Sequence, residues 1–580
     1  MNYIKKFGLK GCLFLAKGKL EGFKKSIPTV KVTRLPLLSA EPVPVISVVI
    51  YGSGDREASL STLRNQKYPC FEIADLADAK GDYIAFLPAG DRLKENALYL
   101  MMEKLLRCSA DAVYCDEEDF YKPDWSPDTL NSCDYIGFFI IKKGLLRDFR
   151  EPLDLLRDSE YLTVAHCPRP LAVSSRELIF YNEEIKPVQG KVSIIIPSKD
   201  NYDVLKVCID SIREKTTRSD YEIIVVDNGS IQENAEKYRA LADKYIYEKR
   251  YFNFSYMCNR GAQAAEGSFL LFLNDDTEVI APDWLDKMAY YAAKPHSGAV
   301  GAKLYYPKTK TIQHCGVINI QPGPAHAFLG EDDEAVLYKG RNRGVWNYTA
   351  VTAACLMIEK SKFSGFDEDF RVAYNDVELC MSLIERGYYN MVINAVTLYH
   401  YESLSRGDDR LNREKLKRLA LEKEILFARH PQFCGRDNFY NINLSPYRVD
   451  FIPRNFAVFE SCRKFKLINN IPQGENFDYK IEYAISGDMV RISGYACKKG
   501  YDRIYVLLEG IGGIYRLNTV REMRTDIEAV KGRAALLGGF NLMLENTYLP
   551  KGKYKVGVML TDIFGIMRTA VLSDNTVEFL

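Results

Sequence analysis

Long apolar runs and paired cysteines are both missing from this 580-residue chain. No stretch approaches the roughly 20 apolar residues that a bilayer-spanning helix needs. The 14 cysteines form no C-x-x-C pair and no Cys/His cluster of zinc spacing, which removes a structural zinc site from consideration. Most sit in apolar contexts, such as Cys208 in VLKVCIDSI and Cys355 in TAACLMI. A free thiol there behaves as a small buried hydrophobe, and a reducing cytosol is its simplest setting. An excess of one charge is lacking too: 78 Lys and Arg balance 77 Asp and Glu, so no basic field for nucleic acid is expected. Tryptophan is scarce (3) while tyrosine is abundant (38); such polar-tipped rings suit carbohydrate-facing surfaces and half-buried strands alike. Residues 1–25 offer only the short patch GCLFLA between lysines, without a cleavage site, so no signal peptide is expected.

What remains is the composition of a globular protein, 47% hydrophobic and 27% charged, long enough for two to four domains. The first 45 residues are a basic segment and a Pro-punctuated linker. Nine basic residues between Lys5 and Arg34 face the single acidic Glu21, with Phe7, Leu13, Phe14 and Phe23 interleaved. Such a helix either lies on an anionic membrane surface or packs its apolar stripe on the rest of the chain.

Two segments then begin alike. VISVVIYGSGD (45–55) and KVSIIIPSKDN (191–201) are β-branched runs ending in turn residues, the look of buried parallel strands. Each leads through a helical pattern and a second strand to a third, AKGDYIAFLPAGD and AEGSFLLFLNDDT, which makes an internal β-α-β repeat. The first copy is shorter, as if one or two βα units were lost. Beyond 407, DDRLNREKLKRLALEKEILFARH is a periodic amphipathic helix. After Pro453 the pattern alternates at period two with regular Gly/Asp/Asn punctuation, which predicts a β-sandwich.

Chemistry concentrates in the second copy. In LLFLNDDTEVI an apolar strand runs directly into Asp275 and Asp276, at the strand edge where open α/β sheets bind ligands. Paired hard oxygens suit Mg²⁺ or Mn²⁺, although a DD pair there is commonly a turn or helix cap. Asp227 in VVDNGS and Asp200 in PSKDN stand at two other strand ends. Asn375-Asp376 opens an amphipathic helix, where an Asp is usually an N-cap. As a base it needs to stay ionised, which the helix dipole favours. His400 follows an apolar strand and fits either a structural role or a metal ligand.

Residues 191–445 resemble a family 2 glycosyltransferase of the GT-A fold, in the branch of bacterial O-antigen, rhamnan and other cell-surface polysaccharide synthesis. The matching motifs are VSIIIPSKDN, EIIVVDNGS, FNFSYMCNRGAQAAEGSFLLFLNDDTEV, GAKLYYP with TIQHCGV, TAACLMI, GFDEDFRVAYNDVELCMSLIERGYY, LYHYESLSRG and FYNINLS, in the family's order. The resemblance implies an α/β Rossmann-like mixed sheet. It implies nucleotide-sugar contacts from Pro197, Ser198, Asp200, Asp227, Asn253, Asn259 and Asp275, and a Mn²⁺ or Mg²⁺ ion at Asp276 and His400. Asp376 matches the base, and Glu378, Glu402 and Arg406 match the acceptor or diphosphate side. His314 and His326, between the metal and base motifs, either line an acceptor cleft or are structural. The expected reaction is inverting hexosyl transfer from a nucleoside-diphosphate sugar to a lipid-linked or oligosaccharide acceptor, with the protein cytoplasmic or peripheral at the inner membrane face.

Residues 46–185 resemble the same family without its chemistry: the metal region reads LPAGD, and REPLDLLRDSE shows no base motif. We read this segment as a degenerate, truncated and inactive GT-A-like domain, with Asp116, Glu117, Glu118 and Asp119 on a solvated loop. The expected boundaries are then 1–45, 46–185, 190–450 for the catalytic domain and 455–580 for the sandwich, where Tyr495, Tyr501, Tyr505 and Tyr515 are a candidate glycan platform or sheet packing. The rival reading is a non-catalytic carbohydrate-binding or scaffold protein on a transferase fold.

Overall fold

The computed structural model describes residues 43–157, 162–320, 323–401, 413–433, 436–445, 448–453 and most of 465–579. The basic N-terminal segment, Glu402 and Arg406 lie outside the described residues. Two compact units divide at Pro453 and Arg454.

Residues 43–453 contain two mixed sheets with one strand order. In the first it runs Phe71–Ile73, Ile46–Tyr51, Tyr83–Pro88, Phe139–Lys142, Ala112–Glu117, Val164–Val173, Arg92–Leu93. In the second it runs Tyr221–Asp227, Val192–Ser198, Phe269–Leu273, Cys355–Glu359, Ser297–Tyr305, Tyr389–His400, Thr277–Val279. Register agrees as well: Ser47 pairs with Glu72 and Ile84, as Ser193 does with Glu222 and Leu270.

The same clasp closes both sheets at their first strand. Ser47 Oγ donates to Glu72 Oε1 at 2.6 Å and accepts from Gly81 N at 2.7 Å. Ser193 Oγ donates to Glu222 Oε1 at 2.6 Å and accepts from Gly267 N at 2.8 Å. Glycine is required in the clasp, because a Cβ on Gly81 or Gly267 would meet the serine backbone nitrogen at 2.6 or 2.8 Å.

The difference between the sheets lies between their outer and third strands. The second sheet inserts helix Gln232–Leu241, edge strand Lys244–Tyr247 and helix Phe254–Ala264 there; the first has a 3-10 turn, Leu76–Asp78. The second sheet's core is continuous: Val192, Ile194, Ile196, Val225, Leu271 and Met357 pack with Leu205, Ile209 and Ile212 of helix Tyr202–Lys215 and with Trp284. Each such side chain contributes about 1.5–3 kcal/mol when fully buried.

Buried polar groups join the two sheets. Helix Pro127–Ser132 docks on strand Val345–Tyr348. There Asn347 Nδ2 donates to Asp128 Oδ2 at 2.9 Å, and Val345 N donates to Ser132 Oγ at 2.7 Å. Asn441 Nδ2 donates to both Asp116 oxygens at 2.9–3.0 Å. His166 bridges Asp116 and Asp124, each at 2.9 Å. These contacts correct the solvated-loop expectation: Asp116 and Glu117 are buried strand residues, and Lys122 Nζ pairs with Glu117 at 2.7 Å. Only Asp119 of that acidic run is exposed. An unpaired buried carboxylate is costly, so each finds a partner.

Residues 465–579 form five- and four-stranded antiparallel sheets around Val490, Ile492, Val506, Leu508, Leu542, Val556 and Val558. Tyr515 belongs to this core and Tyr501 packs against it. The four tyrosines therefore do not share one open face. Among the described residues no helix is long and apolar enough to cross a membrane.

Ser193→Ala leaves Glu222 and the Gly267 N–H short of a partner and is expected to destabilise the fold by about 1–3 kcal/mol in urea unfolding. His166 is raised to about 9; burial opposes its charge, but Asp116 and Asp124 outweigh that. A folded value above the ordinary 6.5 stabilises fully below pH 6.5 and loses that stabilisation as pH rises through about 9. His166→Gln is expected to flatten this fall, measured as the unfolding midpoint across a pH series.

Candidate functional site

The all-apolar strand Phe269–Leu273 is buried along its length and delivers Asn274, Asp275 and Asp276 to its end. The next strand, Thr277–Val279, pairs antiparallel with the end of Tyr389–His400, so that Thr277 lies opposite His400. Tyr401 N donates to Asp276 O at 2.8 Å. The two aspartates then part company. Asp275 Oδ2 accepts from Ser198 Oγ at 2.6 Å and from Asn201 Nδ2 at 3.4 Å. Asp276 Oδ1 lies 3.1 Å from His400 Nε2, outside hydrogen-bond geometry, and is buried without a donor.

His400 is held by Gln313, whose Oε1 is 2.7 Å from Nδ1. A carbonyl oxygen only accepts, so Nδ1 carries the proton and Nε2 turns its lone pair toward Asp276 and Asn274 Nδ2 at 3.2 Å. An orphaned carboxylate oxygen beside an imidazole lone pair fits a hard divalent cation. Among the described residues no group of three His, Cys, Asp or Glu side chains gathers there. The pair thus supplies two ligands, leaving other positions to substrate oxygens and water, as is usual for Mg²⁺.

Asp376 reaches the same edge of the sheet through the backbone. Ala353 N donates to Asp376 Oδ2 at 3.0 Å, while Asn274 N donates to Ala354 O at 3.1 Å. Two consecutive residues therefore tie together motifs that lie about 100 residues apart in the chain. Asp376 sits in the first turn of helix Asn375–Glu385, which follows Tyr374 at φ 58°, a left-handed kink that aims the helix start at the edge.

The other expected residues are placed as follows. Ser198 and Asp227 are register partners on adjacent strands, with Pro197 one step before. Asp227 is fully buried; it accepts from Ser230 N and Oγ and from Tyr245 Oη at 2.7–2.8 Å. Asp200 is exposed at φ 49° and accepts from Ile231 N at 2.9 Å beside helix Gln232–Leu241. Asn253 caps helix Phe254–Ala264 and donates to Glu368 O; Asn259 exchanges hydrogen bonds with the Phe366 backbone at 2.8–2.9 Å. Both amides thus hold the loop that leads to Asp376.

Glu378 is a correction. It is buried, accepts from Ser382 Oγ and lies 3.5 Å from His430 Nε2, in a helix joint instead of an open acceptor surface. His314 takes the structural one of its two expected readings: it is fully buried, 2.8 Å from His326 Nδ1, and burial holds it well below the ordinary histidine value. Sequence reasoning missed Gln313, Asn201 and Tyr238, whose Oη lies 3.0 Å from Ser198 Oγ. Gln313 stood within the quoted motif TIQHCGV; strand alternation sets it on the face opposite Ile312 and His314.

Residues 193–317 match the family model described as Glycosyl transferase family 2. The chain is 31% identical over 452 residues to the Sinorhizobium fredii protein y4gI, covering 64% of this chain and 50% of that one. It is 31% identical over 410 residues to the O-antigen biosynthesis protein RfbC of Myxococcus xanthus, covering 57% of this chain and 32% of the relative. The chain thus spans half or less of these curated relatives. A solved mannosyltransferase from Pyrobaculum calidifontis, in complex with GDP-Man and Mn²⁺, aligns with TM-score 0.33 and 17% identity over 43% of this chain and 68% of its own. Residues 193–317 thus carry the Glycosyl transferase family 2 match within the second mixed sheet.

Asn259→Ala is expected to release the 366–370 loop. Faster amide exchange at Phe366, with rates in the Phe269–Leu273 strand unchanged, is the readout; unchanged exchange at Phe366 removes Asn259 as its anchor.

Proposed function

We propose that residues 191–445 transfer a sugar, with inversion, from a nucleoside-diphosphate donor to a hydroxyl of a lipid-linked or oligosaccharide acceptor in bacterial surface polysaccharide synthesis. The observation that carries this reading is the shared tether at Ala353 and Ala354, which sets Asp276 and Asp376 at one sheet edge. The O-antigen role in the name of the Myxococcus relative supports the polymer class.

Asp276 and His400 would hold Mn²⁺ or Mg²⁺ together with the donor diphosphate. When bound, the cation neutralises charge on the leaving diphosphate. Ser198 and Asn201 hold Asp275 beside that position, while Asp227, Pro197 and Asp200 shape the nucleoside end and Asn253 and Asn259 the loop below it. Asp376 takes the acceptor proton through a carboxylate that the Ala353 and Val377 backbone N–H groups orient at the start of its helix. A single displacement by that hydroxyl, from the face opposite the leaving group, inverts the anomeric centre. No covalent carboxylate nucleophile is required. Glu402 and Arg406 belong to the segment after His400 and complete the acceptor or diphosphate side. The protein works in the cytoplasm, with its basic N-terminus available to an anionic membrane face.

The first sheet is proposed as non-catalytic. In the register shared by the two clasps, Gly90 stands where the second sheet has Asp276, and Ser174 where it has His400. Ser174 Oγ donates to Asp91 Oδ1 at 2.6 Å, which closes the edge on itself.

The test is nucleoside-diphosphate release from a panel of sugar nucleotides with Mn²⁺. Asp376→Asn is expected to lower kcat by at least about 100-fold while donor binding persists. Asp276→Ala is expected to weaken Mn²⁺ binding, read by paramagnetic titration. Full activity in Asp376→Asn removes it as the base; absence of turnover and of binding for every donor removes the transferase reading.

A further inference from the structure

Where the two sheets meet, a cleft of about 450 Å³ opens. Its walls include Trp125, Tyr388 and Phe439, with Asp124, Asn438 and Lys104 between them. A second cavity of about 260 Å³ adjoins it, sharing Ile384 and Asn438 and adding Gln432 and Arg436; we treat the two as one groove. The groove is remote from Asp276 and His400. Tyr389 in its wall and His400 are the two ends of one 12-residue strand, which places them more than about 30 Å apart.

We propose that this groove binds an oligosaccharide chain at a site separate from the transfer centre. A pyranose presents a C–H face that packs on the negative face of an aromatic ring, and a rim of hydroxyls that needs planar acceptors and donors. The groove offers both. Asp124 is an oriented acceptor: His166 Nδ1 holds Oδ1 at 2.9 Å, while the carboxylate side chain stays 43% exposed. Among the described residues no partner accepts from the Trp125 indole N–H, which is free to donate. The two adjoining cavities together leave room for linked sugars. A chain held there while its end is elongated elsewhere gains affinity by linkage, because the second contact becomes intramolecular.

The protein carries its own reporter. Trp284 and Trp346 are fully buried, so Trp125 is the one tryptophan of the three open to solvent. Neutral tetrasaccharides from α-glucan, β-glucan, chitin and mannan, titrated into the full chain, should change tryptophan fluorescence for at least one member. The change should be saturable at millimolar concentration or below. Tyr388→Ala and Asn438→Ala should each weaken that response about tenfold or more while the thermal transition and nucleotide release stay as in wild type. Asp276→Ala should leave the response intact, so this outcome is independent of whether the transferase reading holds. No response to any tetrasaccharide overturns the proposal. So does a response lost in Asp276→Ala but kept in Tyr388→Ala, which would assign the sugar to the transfer centre. If Tyr388→Ala unfolds, Asn438→Ala decides, and an unchanged affinity there counts against the groove.

Discussion

The antiparallel pairing of Thr277 with His400 is the contact on which the candidate site depends. It brings a strand end from late in the chain against the residue that follows Asp276, and the Tyr401–Asp276 backbone bond secures it. With that register set, Asp275 turns to Ser198 and Asn201, while Asp276 faces His400. A slip of one residue would turn His400 to the other face of the sheet.

The same strand explains how the two sheets form one unit. Tyr389–His400 also pairs with Val345–Tyr348, the strand on which helix Pro127–Ser132 of the first sheet docks. A buried polar seam of Asp128, Asn347, Asp116, Asn441 and His166 then fixes the first sheet against the second. Polar seams specify one geometry more than they stabilise it, because each group loses solvation on burial and recovers it only through its own partner. The groove lined by Trp125 and Tyr388 is a by-product of that geometry. Residues on its walls come from both sheets, so neither sheet alone would form it.

The repeat is closer in structure than in length. Seven strands share order and register, and both copies keep the serine–glutamate–glycine clasp, although the first lacks the helices and edge strand that flank the outer side of the second copy. Absence of those βα units leaves the hydrogen-bonded centre of the sheet intact, because they attach at its outer side. Gly90 and Ser174 stand at the register positions of Asp276 and His400, so the strand order does not depend on those two side chains.

The chain itself determined the local elements and the candidate chemistry. Apolar runs such as FLLFL fix buried strands, the Asp275-Asp276 step marks a strand end, and alternation after Pro453 marks an antiparallel sandwich, because periodicity and turn residues act over a few residues. Tertiary structure decided the pairings between distant residues. Which aspartate is orphaned, that Gln313 sets the His400 tautomer, that Asn253 and Asn259 serve a loop, that Glu378 turns inward to His430, and that Asp116 and Glu117 are buried all depend on strand order and register. Those are set by packing across the whole sheet, and no local pattern encodes them. The closing motif FYNINLS shows the division plainly: it was legible as a motif, but its Asn441 acts on Asp116, 325 residues earlier, and only the fold brings the two into contact.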